Sequence, residues 1–282
     1  MALRISKFAF ALGMAGGLFL SASNSFAHFQ MLFPGESLRM ANSGAMDLTA
    51  IFTHVFNGGP SMQMGQPRAL YLLKQRGDEG KPEKVDLLKR LEKFDWLGDG
   101  KESVTAWKVP MAASELRSLG DYVFVLEPEP FLEASEDKYI QQFTKTVVNV
   151  GGMPGNWEKV VGLPAEIRPL NKPYANWTGG VFRGVVLSQG KPAPFAEVEV
   201  EFVNRKPDLA ARAWSGDAQF KPAHPALGAM SIRADAQGNI AIGLPKAGWW
   251  GIAALDVGPT KKFKGKKLSQ DAVLWVQVSD PK

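Results

Sequence analysis

The chain has 282 residues, a formal net charge of +5 and 45% hydrophobic residues, which suits one large or two medium folded domains and not a disordered chain. It has no cysteine, which excludes disulfides, thiolate metal sites, iron–sulfur ligation and cysteine nucleophiles. Three histidines occur, His28, His54 and His224, and any imidazole chemistry must draw on them.

Residues 1–27 read as a secretory signal peptide. Arg4 and Lys7 supply a positive start, Phe8 to Leu20 an apolar run, and Ser25 and Ala27 the small residues of a cleavage site. The apolar run is thirteen residues, against about twenty for a membrane span. The reading predicts a chain that is periplasmic or secreted, soluble after cleavage, and begins at His28. That residue then carries a free α-amine beside its imidazole.

The mature chain reads as all-β. His28 to Phe33 is an opening strand stopped by Pro34-Gly35. Met46 to Phe56 alternates, with Leu48, Ala50, Phe52 and His54 on one face, and ends at Gly58-Gly59-Pro60. Arg68 to Leu73 is a third strand. Residues 81–94 fit either a short surface helix, with Val85, Leu88 and Leu91 at helical spacing, or a polar hairpin. Trp107 to Pro110, Gly120 to Leu126 and Lys138 to Val150 are further strands. A turn-rich crossing rich in Gly and Pro follows.

The second half repeats the pattern. Gly180 to Ser188 is a strand. Ala196 to Asn204 sets Val198, Val200 and Phe202 on one face and Glu197, Glu199 and Glu201 on the other. Residues 205–228 lack a period. Ser231 to Ala234, Asn239 to Leu244, Gly248 to Leu255 and Ala272 to Ser279 complete the set. The expected architecture is two β-sandwich domains, immunoglobulin-like or carboxypeptidase-regulatory-like, at 28–160 and 177–282, with a connector at 161–176.

The chemistry concentrates at His28. An N-terminal amine and the Nδ1 of the same residue close a six-membered chelate on a metal, and imidazole suits copper, nickel and zinc. If the first two strands are neighbours, His54 brings a second imidazole. Met62 and Met64 face one way in an extended segment. They are either soft thioether ligands or ordinary hydrophobes at the end of the sandwich. Glu127, Glu129, Glu133, Glu136 and Asp137 form an acidic cluster from which one carboxylate could complete a mixed shell. His224 has no His or Cys neighbour and reads as a surface residue.

Other chemistries lack support. Neither G-x-S-x-G nor H-E-x-x-H occurs, and the Gly-Gly pairs lack a phosphate-loop context. The Lys261–Lys267 run contains one aromatic residue, reads as a solvated hairpin, and gives no case for nucleic acid. Trp249 and Trp250 read as one core residue and one covering an edge or junction.

Several blocks resemble one family. His28-Phe29-Gln30-Met31-Leu32-Phe33-Pro34 is similar to the mature N-terminus of the DUF4198 family. Phe52-Thr53-His54-Val55-Phe56-Asn57-Gly58-Gly59-Pro60-Ser61-Met62-Gln63-Met64 resembles its second signature. Gly120 to Phe124, Glu136 to Ile140, Trp177 to Gly179, Phe182 to Gly184, Pro194 to Val200 and Ala247 to Gly251 resemble further blocks. The family is described as periplasmic and associated with nickel or cobalt uptake. The resemblance implies Ni(II) held by His28 and by the strand histidine, His54, for a membrane transporter of the energy-coupling type. Val55 stands where the family often has Pro.

The leading expectation is thus a non-enzymatic metal-binding protein: Ni(II), with Co(II) or Cu(II) as alternatives, carried by His28 and His54 for a transporter. The enzyme alternative is a copper oxygenase with a His28/His54 brace, a reading that an approach of Tyr122 or Tyr139 to the metal would favour. A structural or adhesive β protein without metal is the third class.

Overall fold

A computed structural model describes residues 28–75, 81–98 and 102–281. The predicted signal peptide, 1–27, lies outside the described residues. The fold is all-β with three short 3-10 turns among the described residues.

A twelve-stranded sheet forms the centre. Its main path runs Met230–Arg233, Glu197–Phe202, Gly248–Ala254, Lys266–Ser279, Lys138–Val150, Gly120–Glu127, Ala69–Gln75 and Glu83–Asp86. The two halves of the chain meet inside this sheet. Lys138–Val150 and Lys266–Ser279 pair in parallel, from Lys138↔Lys267 to Thr146↔Trp275.

A smaller sheet covers each face. Val123, Val125, Val147, Leu274, Val276, Ile252 and Val200 point to one face and pack on Ile167, Phe182, Val186, Ile240 and Ile242 of the sheet built from Ala165–Pro169, Gly180–Ser188 and Asn239–Leu244. The alternate residues Tyr122, Phe124, Leu126, Val148, Val273 and Trp275 point to the other face. They meet the sheet of Phe29–Phe33, Met46–Thr53, Val104–Met111 and Glu92–Trp96, the first covering sheet in chain order, the sheet that contains Ala165–Pro169 being the second. The strict side-chain alternation of each central strand produces both cores from the same segments.

The opening strand is seated by side chains. Phe29–Phe33 pairs with Met46–Thr53 on one side and ends its own sheet on the other. An unpaired strand edge buried in a protein leaves costly N–H and C=O groups. Here the outer edge lies on the central sheet and receives a ladder of polar side chains. Gln142 Oε1 accepts from Gln30 N at 2.7 Å, and Gln142 Nε2 donates to His28 O at 2.6 Å. Thr146 Oγ1 donates to Leu32 O at 2.6 Å, and Trp275 Nε1 to Gln30 O at 3.0 Å.

On the opposite face, Lys145 Nζ donates to Glu166 Oε1 at 2.6 Å, with both side chains almost wholly excluded from water. Glu166 also accepts from the amides of Val161, Gly162 and Leu163. The segment at 161–169 is therefore clamped to the central sheet.

Some local expectations resolve. Residues 81–94 form strand, 3-10 turn and strand: Glu83–Asp86, Leu88–Arg90 and Glu92–Trp96. The helical spacing of Val85, Leu88 and Leu91 serves one apolar cluster, from the first strand, the 3-10 turn and the residue that joins the turn to the second strand. The last strand starts at Lys266 instead of Ala272, because its first part is held by the parallel partner. Trp250 lies in the core under the second covering sheet, and Trp249 packs on Phe33 at the junction with the first.

Candidate metal centre

The site is set by register. Phe29 pairs with Thr53 in an antiparallel ladder, so His28 and His54 stand opposite each other one step beyond it. Their ring centroids are 4.3 Å apart. His54 closes the strand Met46–Thr53 and opens a tight loop. Gly59 N donates to His54 O at 3.0 Å and His54 N to Pro60 O at 3.2 Å. Gly58 and Gly59 both have positive φ, which a side chain would disfavour, and they let the chain return as Ser61–Met62 beside Phe52 and Thr53.

The third member comes from another element. Phe131–Glu133 pairs with the start of Lys138–Val150, through Phe131↔Ile140 and Glu133↔Lys138. That hairpin carries Glu133 to His28: Nε2 and Oε2 are 3.1 Å apart, with about one seventh of each side chain exposed. Phe131 and Phe52 complete the surround, with ring centroids 6.4 and 5.7 Å from that of His28.

Burial holds the His28 imidazole below its ordinary pKa, against the opposing pull of Glu133 and Glu136. Burial pushes the Glu133 carboxyl up, but the Ser135 hydroxyl and amide and the two histidines together hold it below the usual range. A neutral imidazole that donates an Nε2–H hydrogen bond to Glu133 keeps the Nδ1 lone pair available. Nδ1 is the nitrogen that chelates together with an α-amine of the same residue, and a carboxylate on the distal ring nitrogen fixes that tautomer.

Among the described residues, no group of three or more His, Asp or Glu side chains is spaced to close on one ion. The side chains on their own supply a pair of imidazoles with a carboxylate behind one of them. A third nitrogen at this position would be the α-amine of His28.

The other predicted residues are placed as follows. Met62 is half-buried beside Phe52. Met64 is buried in the core under the first covering sheet, and its sulfur accepts from Gln30 Nε2 at 3.4 Å. Glu129 pairs with Arg68, Glu136 with Lys138 and Asp137 with Lys266. His224 is exposed and accepts from Ala226 N through Nδ1. Tyr122 directs its hydroxyl to Ser118 O, and Tyr139 stacks edge-on against Phe263. Glu133 was one of five acids that the sequence could not separate; the hairpin register is what selects it.

His28 also lines a cleft of about 310 Å³ whose walls include Glu136, Glu197, Glu199, Asp256 and Asp271, with Lys138 and Lys267. Burial, with Glu197 and Asp271 nearby, pushes the Glu199 carboxyl up to about 7.

Fold and site together define an all-β protein that pairs two imidazoles at its amino-terminal strand. The chain belongs to the DUF4198 family, a domain of unknown function, whose profile matches residues 25–258. No curated protein matches the chain. Among solved structures, it is similar to the D0–D1 domain of intimin, with 11% identity over 86% of this chain and 96% of that one, at a TM-score of 0.21. It is also similar to Escherichia coli alpha-2-macroglobulin activated by porcine elastase, with 12% identity over 91% of this chain and 23% of that one, at a TM-score of 0.20. The adhesive subunit CfaE of the CFA/I fimbria of enterotoxigenic Escherichia coli gives 12% identity over 93% and 86%, at 0.13. At these TM-scores none of the three likenesses bears on what this chain does. Among the described residues no helix is long and apolar enough to cross a membrane.

Proposed function

We propose that the chain, once residues 1–27 are removed outside the cytoplasm, captures a divalent transition metal as cargo for a membrane transporter. Ni(II) is the cargo favoured by the family resemblance; Co(II) and Cu(II) suit the same donors. The α-amine and Nδ1 of His28 form the chelate, His54 adds an imidazole, and Glu133 holds the His28 ring from behind. No bond of a substrate is broken. The observation that carries this reading is the 4.3 Å approach of the His28 and His54 rings with Glu133 on the far nitrogen of His28. The cleft beside His28 supports it further, because its five carboxyl groups outnumber its two lysines and a concave surface of net negative charge raises the local concentration of cations.

Release follows from the same chemistry: imidazole and amine bind protons in competition with metal, so acidification or a competing ligand frees the cargo. Affinity at nitrogen donors follows the order Co(II), Ni(II), Cu(II), so Cu(II) binds tightest in vitro whichever ion is carried in the cell.

The test is a comparison of two processed chains, one starting at His28 and one with a single residue added before it. Each is titrated with Ni(II), Co(II) and Cu(II). Extension converts the amine into an amide and weakens binding by about tenfold or more, a loss of about 1.4 kcal/mol or greater. His54→Ala weakens binding in the unextended chain as well. Equal affinity of the extended and unextended chains removes the amine from the site.

A further inference from the structure

We propose that the chain carries a second ligand site, separate from the paired imidazoles, which takes a small aromatic carboxylate. The site is a pocket of about 480 Å³ between the outer strands of the central sheet, the loop after His54 and the excursion at 219–230. Small-molecule sites typically occupy about 300–1,000 Å³ and combine apolar walls with a few polar groups.

The walls are aromatic and already arranged. Phe202 and Trp250 lie 5.0 Å apart between centroids with their planes tilted by 48°, and Phe56 meets Phe220 edge-on at 6.1 Å. Leu227 and Met230 close the outer side. The indole N–H of Trp250 is taken up by Lys246 O at 2.9 Å, so this ring offers its carbon surface to the pocket. Phe220, Leu227 and Met230 are exposed by 45%, 57% and 38%. Three large apolar side chains exposed around one cavity are the mark of a surface that gains by being covered.

Charge selects the occupant. Lys246 is the one charged residue among those lining the pocket, and no carboxylate lines it. Its Nζ lies 5.8 Å from the centroid of Phe202 and only 3.4 Å from Gln219 O, a long contact that leaves donors on the ammonium to spare. A ligand with a flat apolar body and an anionic end satisfies both parts: the ring stacks among the aromatic side chains and the carboxylate meets Lys246. Four aromatic rings favour a planar body over a flexible alkyl chain.

The experiment uses the full processed chain and phenylacetate as the probe, with benzyl alcohol as its neutral counterpart. Binding is read by calorimetry and by saturation transfer from protein to probe in NMR. Phenylacetate binds with one-to-one stoichiometry, and benzyl alcohol about tenfold more weakly. Lys246→Gln removes that preference and leaves benzyl alcohol binding unchanged, while Phe220→Ala weakens both probes. Phe220 and Lys246 are both partly solvent-exposed, and unfolding curves of the two variants establish that the fold is kept. Failure of phenylacetate to bind at millimolar concentration overturns the proposal. So does equal binding to wild type, Lys246→Gln and Phe220→Ala, or a preference for the alcohol. None of these outcomes depends on the metal site.

Discussion

The Nε2 of His28 lies 3.1 Å from Oε2 of Glu133, a residue more than a hundred positions away that arrives on a separate hairpin. This contact orients the ring and, with the carboxylate as acceptor, places the proton of the neutral imidazole on Nε2. Carboxylate partners of this kind change metal affinity by about tenfold to a hundredfold when removed. Glu133→Ala is therefore expected to weaken Ni(II) or Cu(II) binding by that factor while leaving thermal stability nearly unchanged. Competition titration against a chromophoric chelator measures it. An unaltered affinity would show that Glu133 plays no part in presenting the imidazole.

Lys145 and Glu166 form an ion pair sealed between the central sheet and the second covering sheet. Burial holds the Lys145 ammonium below its ordinary pKa, and Glu166 opposes that shift. Removing one partner strands the other charge in the interior, at a cost of about 3–5 kcal/mol. Lys145→Ala should thus unfold at a markedly lower denaturant midpoint. The double variant Lys145→Met, Glu166→Gln should recover much of the loss, because its glutamine still accepts amide hydrogen bonds without a charge. Equal destabilisation of the single and double variants would contradict the account.

Glu201 sits on the strand Glu197–Phe202 with 1% of its surface exposed, and Oε2 accepts from Phe56 N at 3.2 Å. Burial, with Glu199 adding to it, pushes its carboxyl up to about 8 from an ordinary 4.5, against the Phe56 hydrogen bond. The folded chain keeps this proton where the unfolded chain has released it. The associated stability is complete below about pH 4.5 and is lost as pH rises towards 8. Glu201→Gln stays neutral throughout and can still accept from Phe56 N. Between about pH 5 and about pH 8 the wild type should lose on the order of a few kcal/mol relative to this variant. Parallel melting curves of the two proteins across that range would refute the assignment.

Much of this was legible in the residues. Alternation located most of the strands, because a strand with a buried face must repeat every second residue. The approach of His28 to His54 was conditional on the first two strands being neighbours, as consecutive strands tend to be, and the antiparallel register meets that condition. The parallel seam between Lys138–Val150 and Lys266–Ser279 was not, because pairing across such a sequence separation leaves no local signature. What the sequence did hold was a trace of the seat of the opening strand: Gln142, Thr144 and Thr146 recur every second residue, a buried polar row that needs partners and finds them in the backbone of residues 28–32. The Glu face of Glu197–Phe202 misled in a similar way. Alternation suggests a face open to water, whereas Glu201 lies beneath the loop after His54.

The polar ladder under Phe29–Phe33 has a practical consequence. Hydrogen bonds from Gln142, Thr146 and Trp275 grip the backbone from Leu32 back to the carbonyl of His28 itself, so a chain processed as proposed would start without slack. An affinity tag or leftover vector residues at that end would crowd the imidazole pair. Recombinant material intended for testing the proposed metal site should carry its handle at the carboxyl end and begin at His28.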